Sequence, residues 1–231
     1  MERFEKLNVS GMPWQAQGEK GTFPTNALAA NILCERHNSA LAPIDALGLR
    51  AFDAIVAACD YALDGRHNGR IQHHLISGEG IELWLHKLLA GIHFGGIAAA
   101  EGGLLRDVCS FPLKELTEVL TNGRLPPKSS LWIASNVGLA GRGQIAVGPL
   151  IDVARNSNIG VQVHFGPIQF EATLVAAPLS LAQESMHAVR KRPRVIDIVG
   201  PTRDARIVLT WPGMPNEARR LEVKVAPEES T

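Results

Sequence analysis

Hydrophobic positions recur with a helical period in the first half of the chain and with a period of two in the second half. The strongest helical stripe predicts a helix that is capped by Ser77 and stopped by the Gly95-Gly96 pair. The stripe consists of Ile81, Trp84, Leu85, Leu88, Leu89 and Ile92. The same spacing predicts a helix over residues 43–62, with Pro43 in its first turn, and a shorter helix over residues 112–120.

After Pro126-Pro127 the alternation of apolar and polar residues predicts β-strands. They cover residues 131–135, 144–150, 159–165, 168–176, 194–199 and 206–211, with a further edge strand over 221–225. Gly166-Pro167 and residues 200–204 are expected to be hairpin turns. Residues 1–31 contain many glycines and prolines and are expected to be irregular. The fold class is therefore α+β, with a mainly helical region over 1–125 and an antiparallel β-rich region over 126–231.

Composition narrows the classes of function. Hydrophobic residues make up 45% and charged residues 20%, which is typical of a soluble globular protein. Lys+Arg and Asp+Glu number 23 each, so nucleic-acid binding would need a local basic patch. Three cysteines and the lack of a signal peptide indicate a cytoplasmic protein without a disulfide framework. No apolar run reaches the roughly 18 residues of a transmembrane helix, so we expect no membrane partner.

Cys34 and His37 have the spacing of half a zinc site, because a short knuckle can bring two such ligands onto one metal ion. A closed tetrahedral site needs two more ligands, and the chain has no C-x-x-C pair. Candidates for the missing ligands are Cys59, His67, His73 and His74. The alternative is that Cys34 is a small core residue and His37 a polar neighbour of a helix cap.

Three short sequence motifs resemble motifs of a group of largely uncharacterised bacterial proteins that begin with an HNH-nuclease-like zinc module. They are Met-Pro-Trp-Gln at 12–15, Ile-Leu-Cys-x-x-His-Asn-Ser-Ala-Leu-x-Pro-Ile-Asp at 32–45 and Gly-Ile-Glu-x-Trp-Leu-x-Lys-Leu-Leu at 80–89. The resemblance covers roughly the first half of the chain, and Cys34, His37 and Asn38 match the downstream part of the module. It implies a zinc ion held by Cys34 and His37. The upstream C-x-x-C and the Asp-His or Glu-His pair that supplies the general base are missing. The resemblance therefore implies a catalytically incomplete module.

Two further groups of residues are candidates for function. Glu82, His86 and His93 share a face of the strongest helix and form, with Asn38, a candidate polar site that could bind metal or line a cleft. The alternative is a solvated face opposite the apolar stripe, with Glu82 as a surface charge. The basic run Arg190, Lys191, Arg192 and Arg194 could contact phosphates, or form a solvated loop that leads into a strand.

Three hypotheses follow from the sequence. The first is a binding or scaffold protein related to HNH-type zinc modules, with nucleic acid as its partner through residues 190–194. The second is a metal-free module for protein interaction or homo-oligomerisation, in which the β-rich region supplies the surface. The third and weakest is a metal-dependent hydrolase that uses Glu82, His86 and His93. Whether the chain is an enzyme stays open, with the missing half-module favouring a binding role.

Overall fold

The computed structural model describes residues 6–10, 12–13, 15–16, 19–24, 34–64, 69–135, 145–176 and 189–226. The helices in these ranges are α1 (Glu35–Ala40), α2 (Ala42–Leu63), α3 (Gly78–Phe94), α4 (Leu105–Val108) and α5 (Leu113–Asn122). The strands are β1 (Lys6–Ser10), β2 (Lys20–Pro24), β3 (Ile71–Ser77), β4 (Ala99–Ala100), β5 (Gly103–Leu104), β6 (Ser130–Ser135), β7 (Ile145–Asp152), β8 (Ser157–Phe165), β9 (Ile168–Thr173), β10 (Val189–Lys191), β11 (Pro193–Val199), β12 (Asp204–Thr210) and β13 (Glu217–Lys224). The predicted α+β class is confirmed.

Local signals place the ends of the main helices. The Ser77 side chain accepts a hydrogen bond of 2.9 Å from the Gly80 N–H and so caps α3, which ends before Gly95 as predicted. Helix α2 has a proline in its first turn. Helix α5 stops at Gly123, whose φ of 62° gives the left-handed conformation common after a helix end. None of the described helices is long and apolar enough to span a bilayer.

Two sheets form the second half of the fold. The larger sheet is antiparallel, with strand order β10-β6-β9-β8-β7, and it contains the predicted hairpin at Gly166-Pro167. The second sheet has the order β13-β11-β12-β3, and β11 and β12 form the second predicted hairpin. Strand β13 is an edge strand, as predicted, but it pairs parallel to β11. Strand β3 pairs parallel to β12, so the helical region supplies one strand to the β-rich region.

We expected residues 1–31 to be irregular. This was wrong for the part of that segment that the structure describes, because β1 and β2 pair antiparallel over five residues each. The sequence also gave no sign of β3. Its inward positions include Gln72 and His74, while Ile71 and Leu75 point outward and are exposed. This pattern reverses the usual rule that alternating apolar residues face the core, and so it hides the strand.

The core lies between helices α2 and α3 and the inner faces of the two sheets. Helix α2 buries small residues along one face, and Gly48 lies against the Trp84 ring of α3, where a Cβ would come within 2.5 Å of ring carbons. This close approach packs α2 tightly against α3. Phe165 of β8 then packs against Phe52 at 5.3 Å and against Trp84 at 5.8 Å between ring centroids.

Candidate functional site

The polar face of α3 points into the protein. Glu82 and His86 are 0% exposed and His93 is 3% exposed, so the interpretation of this face as solvated, with Glu82 as a surface charge, was wrong. The reason is that α3 is covered on several sides, by α2, α4, α5 and strands of both sheets. The polar face of an amphipathic helix is solvated only where no other element covers it. Burial makes each of these polar groups depend on a partner inside the protein.

Glu82 finds that partner in Arg192, 110 residues later in the chain. Arg192 donates from Nε to Glu82 Oε2 at 2.8 Å and from Nη2 to Oε1 at 2.8 Å. The hydroxyl of Ser129 donates to Glu82 Oε1 at 3.0 Å, and Arg192 Nη2 also donates to the Ser129 carbonyl at 2.9 Å. A two-pronged pair between a guanidinium and a carboxylate is among the strongest side-chain contacts in proteins. We call these three residues the buried clamp.

The backbone around Arg192 explains how a charged residue becomes buried. It is the single residue between β10, which belongs to the larger sheet, and β11, which belongs to the second sheet. Its φ of 43° is unusual for a residue with a side chain, and its N–H donates to the Leu131 carbonyl at 2.9 Å. The chain thus turns from one sheet to the other at Arg192. The buried clamp ties this junction to the middle of α3.

The clamp sets the charge of Glu82. Burial by itself would raise the pKa of this carboxyl, but His86 and Arg192 outweigh burial and leave the pKa below its ordinary value. The nearest approach of His86 is 3.9 Å, from Nε2 to Glu82 Oε1. Both ring nitrogens of His86 are buried without a hydrogen-bond partner among the described residues. Glu82 is therefore a carboxylate held by Arg192, and a general base needs a carboxylate that substrate can reach.

His93 lies further along the same helix in a different environment. Its ring packs between Phe94 and Phe111, at 4.7 Å and 4.3 Å between centroids. The side-chain amide of Asn158 lies 3.4 Å from Nδ1. Burial lowers the pKa of His93, so its ring is neutral at pH 7. The described residues contain no group of three or more His, Cys, Asp or Glu side chains that could hold a metal ion, so Glu82, His86 and His93 are not brought together as ligands.

Cys34 and His37 form an exposed pair at the beginning of α1. Cys34 is the residue before the first helical turn, and the Asn38 N–H donates to its carbonyl at 2.9 Å. Cys34 Sγ and His37 Nδ1 are 3.1 Å apart, and both side chains are exposed. The interpretation of Cys34 as a core residue was therefore wrong. Asn38 follows on the same short helix and is also exposed.

The residues expected to complete a zinc site lie elsewhere. Cys59 is buried in α2, and His73 and His74 lie on β3. His67 lies outside the described residues. Parts of the sequence motifs that carry the HNH resemblance, Trp14 and residues 32–33, also lie outside them. In the part of the chain that the structure describes, Cys34 and His37 remain a two-ligand pair.

The basic run is divided by the fold. Arg192 is buried in the clamp and is therefore removed from the predicted phosphate-contact surface. Arg190 is half-buried and donates to the Val189 carbonyl, whereas Lys191 lies over the Trp132 ring at 5.9 Å. Arg194 is exposed and donates to Asn216 at 2.8 Å. Three of the four cations thus remain at or near the surface.

Sequence reasoning missed a hydrogen-bonded cluster of Gln162, Gln169 and Glu171 on the larger sheet. Register places Trp132, Glu171, Gln162 and Gly148 side by side on four neighbouring strands. Glu171 accepts hydrogen bonds from Gln162 at 3.1 Å and from Gln169 at 2.6 Å, and it is only 4% exposed. The alternation in 159–165 and 168–176 predicted the strands. It did not indicate that the polar residues Gln169 and Glu171 would be buried.

Comparison of the chain with protein-family models, with curated proteins and with solved structures found no match.

Proposed function

We propose that the protein is a binding or scaffold protein related to HNH-type zinc modules, in which Cys34 and His37 are two ligands of a zinc ion that a bound partner completes. The observation that carries the proposal is the 3.1 Å contact between Cys34 Sγ and His37 Nδ1 in an exposed position. Thiolate sulfur and imidazole nitrogen are the ligands that zinc prefers. The two histidines of the candidate polar site, His86 and His93, are by contrast buried.

The geometry of the pair fits one edge of a zinc tetrahedron. Bonds of about 2.3 Å to sulfur and about 2.0–2.1 Å to nitrogen hold the two ligand atoms roughly 3.5 Å apart. The two atoms in the free protein are at hydrogen-bond distance, 3.1 Å. An opening of about 0.4 Å admits the metal, and rotation of exposed side chains supplies it without moving the backbone.

The remaining ligands are proposed to come from the partner. A structural zinc site has four protein ligands, and two alone bind weakly because water fills the other positions. The described residues offer no third ligand beside the pair. Zinc would therefore strengthen a complex more than it strengthens the free fold, which suits a scaffold role. The hydrolase alternative is disfavoured, because Glu82 is engaged by Arg192 and sealed from solvent.

Nucleic acid is the partner class that we propose, with phosphate contacts from Arg190, Lys191 and Arg194. Lys191 lies over an aromatic ring that is itself only half-buried, an arrangement that can stack a base beside a phosphate contact. The chain has equal numbers of acidic and basic residues, so binding would depend on this local surface. It should therefore weaken steeply as the salt concentration rises.

Elemental analysis of zinc tests the metal half of the proposal. We expect the chain, equilibrated by dialysis against free zinc, to hold up to one weakly bound zinc ion, and Cys34→Ser and His37→Ala to lose it. The matched control is His73→Ala, which removes an exposed imidazole outside the pair. Equal zinc in all four proteins would contradict the proposal.

Retention of single-stranded and double-stranded DNA and RNA at low salt tests the partner half. We expect retention that zinc increases and that a combined Lys191→Gln and Arg194→Gln variant reduces. Zinc binding without retention of any nucleic acid would support Cys34 and His37 as zinc ligands and would rule out nucleic acid as the partner.

A further inference from the structure

Strand β3 presents an unprotected sheet edge. It pairs with β12 on one side, and no described strand pairs with its other side. Its outward side chains include Ile71, 45% exposed, and Leu75, 76% exposed. The opposite edge of the same sheet, β13, carries charged and exposed side chains at Arg220 and Glu222. Charges protect an edge from pairing with another chain, and β3 has neither Lys nor Pro to do so.

The inward side of β3 carries two buried polar atoms, Gln72 Oε1 and His74 Nε2. Neither makes a hydrogen bond to any residue in the described part of the chain. A buried polar atom without a hydrogen bond destabilises the protein, because it has lost the hydrogen bonds that water would supply. The two atoms are complementary, because an amide oxygen accepts a hydrogen bond and a neutral imidazole can donate from Nε2. Burial, together with the neighbouring His73, lowers the pKa of His74, so its ring is neutral at pH 7.

We propose that β3 pairs antiparallel with β3 of a second copy of the chain, about a twofold axis that passes His73. In this register Ile71 faces Leu75 of the second copy, and Gln72 faces His74 of the second copy. Twofold symmetry repeats each contact, so both apolar side chains and both unpaired polar atoms gain partners once their side chains turn toward the free edge. The two four-stranded sheets become one continuous sheet of eight strands.

Neighbouring registers fit less well. A shift by two residues in one direction places Leu75 opposite His73 and Gln72 opposite Ile76. A shift in the other direction places Ile71 opposite His73 and leaves His74 beyond the end of the strand. Only the register centred on His73 matches apolar with apolar and acceptor with donor, which makes this edge self-complementary.

The pairing is independent of the proposed zinc pair, which lies on α1. Molar mass can therefore be measured by light scattering with chelator present, so that the failure of one proposal does not touch the other. We expect a mass of twice 24.9 kDa for the full chain. Leu75→Lys should give the monomer mass, since it places a charge opposite Ile71 of the second copy.

The matched control for Leu75→Lys is Val147→Lys. Val147 is 45% exposed on β7, which is the edge strand of the other sheet. This variant should remain a dimer. A monomeric wild-type chain at the highest attainable concentration would overturn the proposal, as would a dimer that Val147→Lys breaks and Leu75→Lys does not.

Cross-linking tests the register directly. Directly opposed residues of antiparallel strands have Cα atoms about 4.5–5.5 Å apart, within the range of a disulfide. In a Cys34→Ser background, His73→Cys should form a disulfide-linked dimer on mild oxidation. Leu75→Cys should not, because the two copies of residue 75 would lie roughly 13 Å apart along the strands. The reverse result, or equal cross-linking by both, would rule out this register.

Discussion

Removal of the Arg192 side chain from the buried clamp is the sharpest test of how this fold is held together. Arg192→Met keeps most of the side-chain volume but leaves Glu82, 0% exposed, without its cation. Breaking a buried ion pair by removing one member typically costs about 3–5 kcal/mol. The free energy of unfolding of a whole domain is typically only about 5–15 kcal/mol, so we expect a large drop in the urea midpoint of unfolding.

A double variant separates the charge from the packing. Glu82→Leu combined with Arg192→Met removes both charges and leaves apolar groups of similar size, a change that is often nearly neutral. Here the Ser129 hydroxyl and carbonyl also lose a partner, so we expect a loss of about 1–3 kcal/mol. The double variant should thus be more stable than Arg192→Met alone. Urea titrations of the four proteins in this cycle, followed by tryptophan fluorescence, measure the coupling directly.

The pH dependence gives a second readout with a defined sign. In the wild type the pKa of Glu82 is below its ordinary value, so its stabilising contribution is complete above pH of about 4.3 and is lost as the pH falls through the folded-state pKa. In Arg192→Met, burial dominates and should raise the pKa of Glu82 above its unfolded value. The variant should then regain stability as the pH falls from 7 towards 4.5, and the difference from wild type should narrow.

Two results would refute this reasoning. One is a loss below about 1 kcal/mol in Arg192→Met at pH 7, which would mean that Glu82 is readily hydrated or neutral. The other is a double variant that is as unstable as Arg192→Met, which would assign the effect to packing around the sheet junction and not to an unpaired charge.

Two further predictions concern other parts of the fold. Gly200→Ala should destabilise the protein by about 3 kcal/mol or more, because the added Cβ would overlap the Ala62 carbonyl of α2. Gly213→Ala should cost only about 1 kcal/mol, because Gly213 has a φ of 72° but open space around it. Thermal unfolding compares the two variants, and equal losses of stability would contradict the overlap at Gly200. His93→Asn should make the stability of the protein less sensitive to acid. Burial lowers the pKa of His93, so in the wild type the unfolded chain takes up a proton at this residue more readily than the folded protein as the pH falls below about 6.5. Protonation of His93 therefore lowers the free energy of unfolding by at most about 1.4 kcal/mol per pH unit. Urea midpoints at pH 7.5 and 5.5 test this, and parallel slopes for variant and wild type would be evidence against it.

Local structure was largely determined by neighbouring residues. The cap at Ser77, the proline at the beginning of α2 and the stop at Gly95 act within one turn of helix, so the sequence predicts them without knowledge of the rest of the chain. The same holds for the hairpins at Gly166-Pro167 and between β11 and β12, where alternation and turn residues are adjacent. These signals were sufficient for the α+β class.

The partners of polar residues were decided only by tertiary structure. Glu82 occupies a helix face that is polar in sequence, and nothing near it indicates that Arg192, 110 residues away, will close over it. Strand β3 was hidden for a related reason, since its pairing with β12 joins segments more than 130 residues apart. Whether a polar side chain meets water, a buried charge or another chain depends on what packs opposite it. Periodicity along the sequence describes the face of an element and not the surface that covers it.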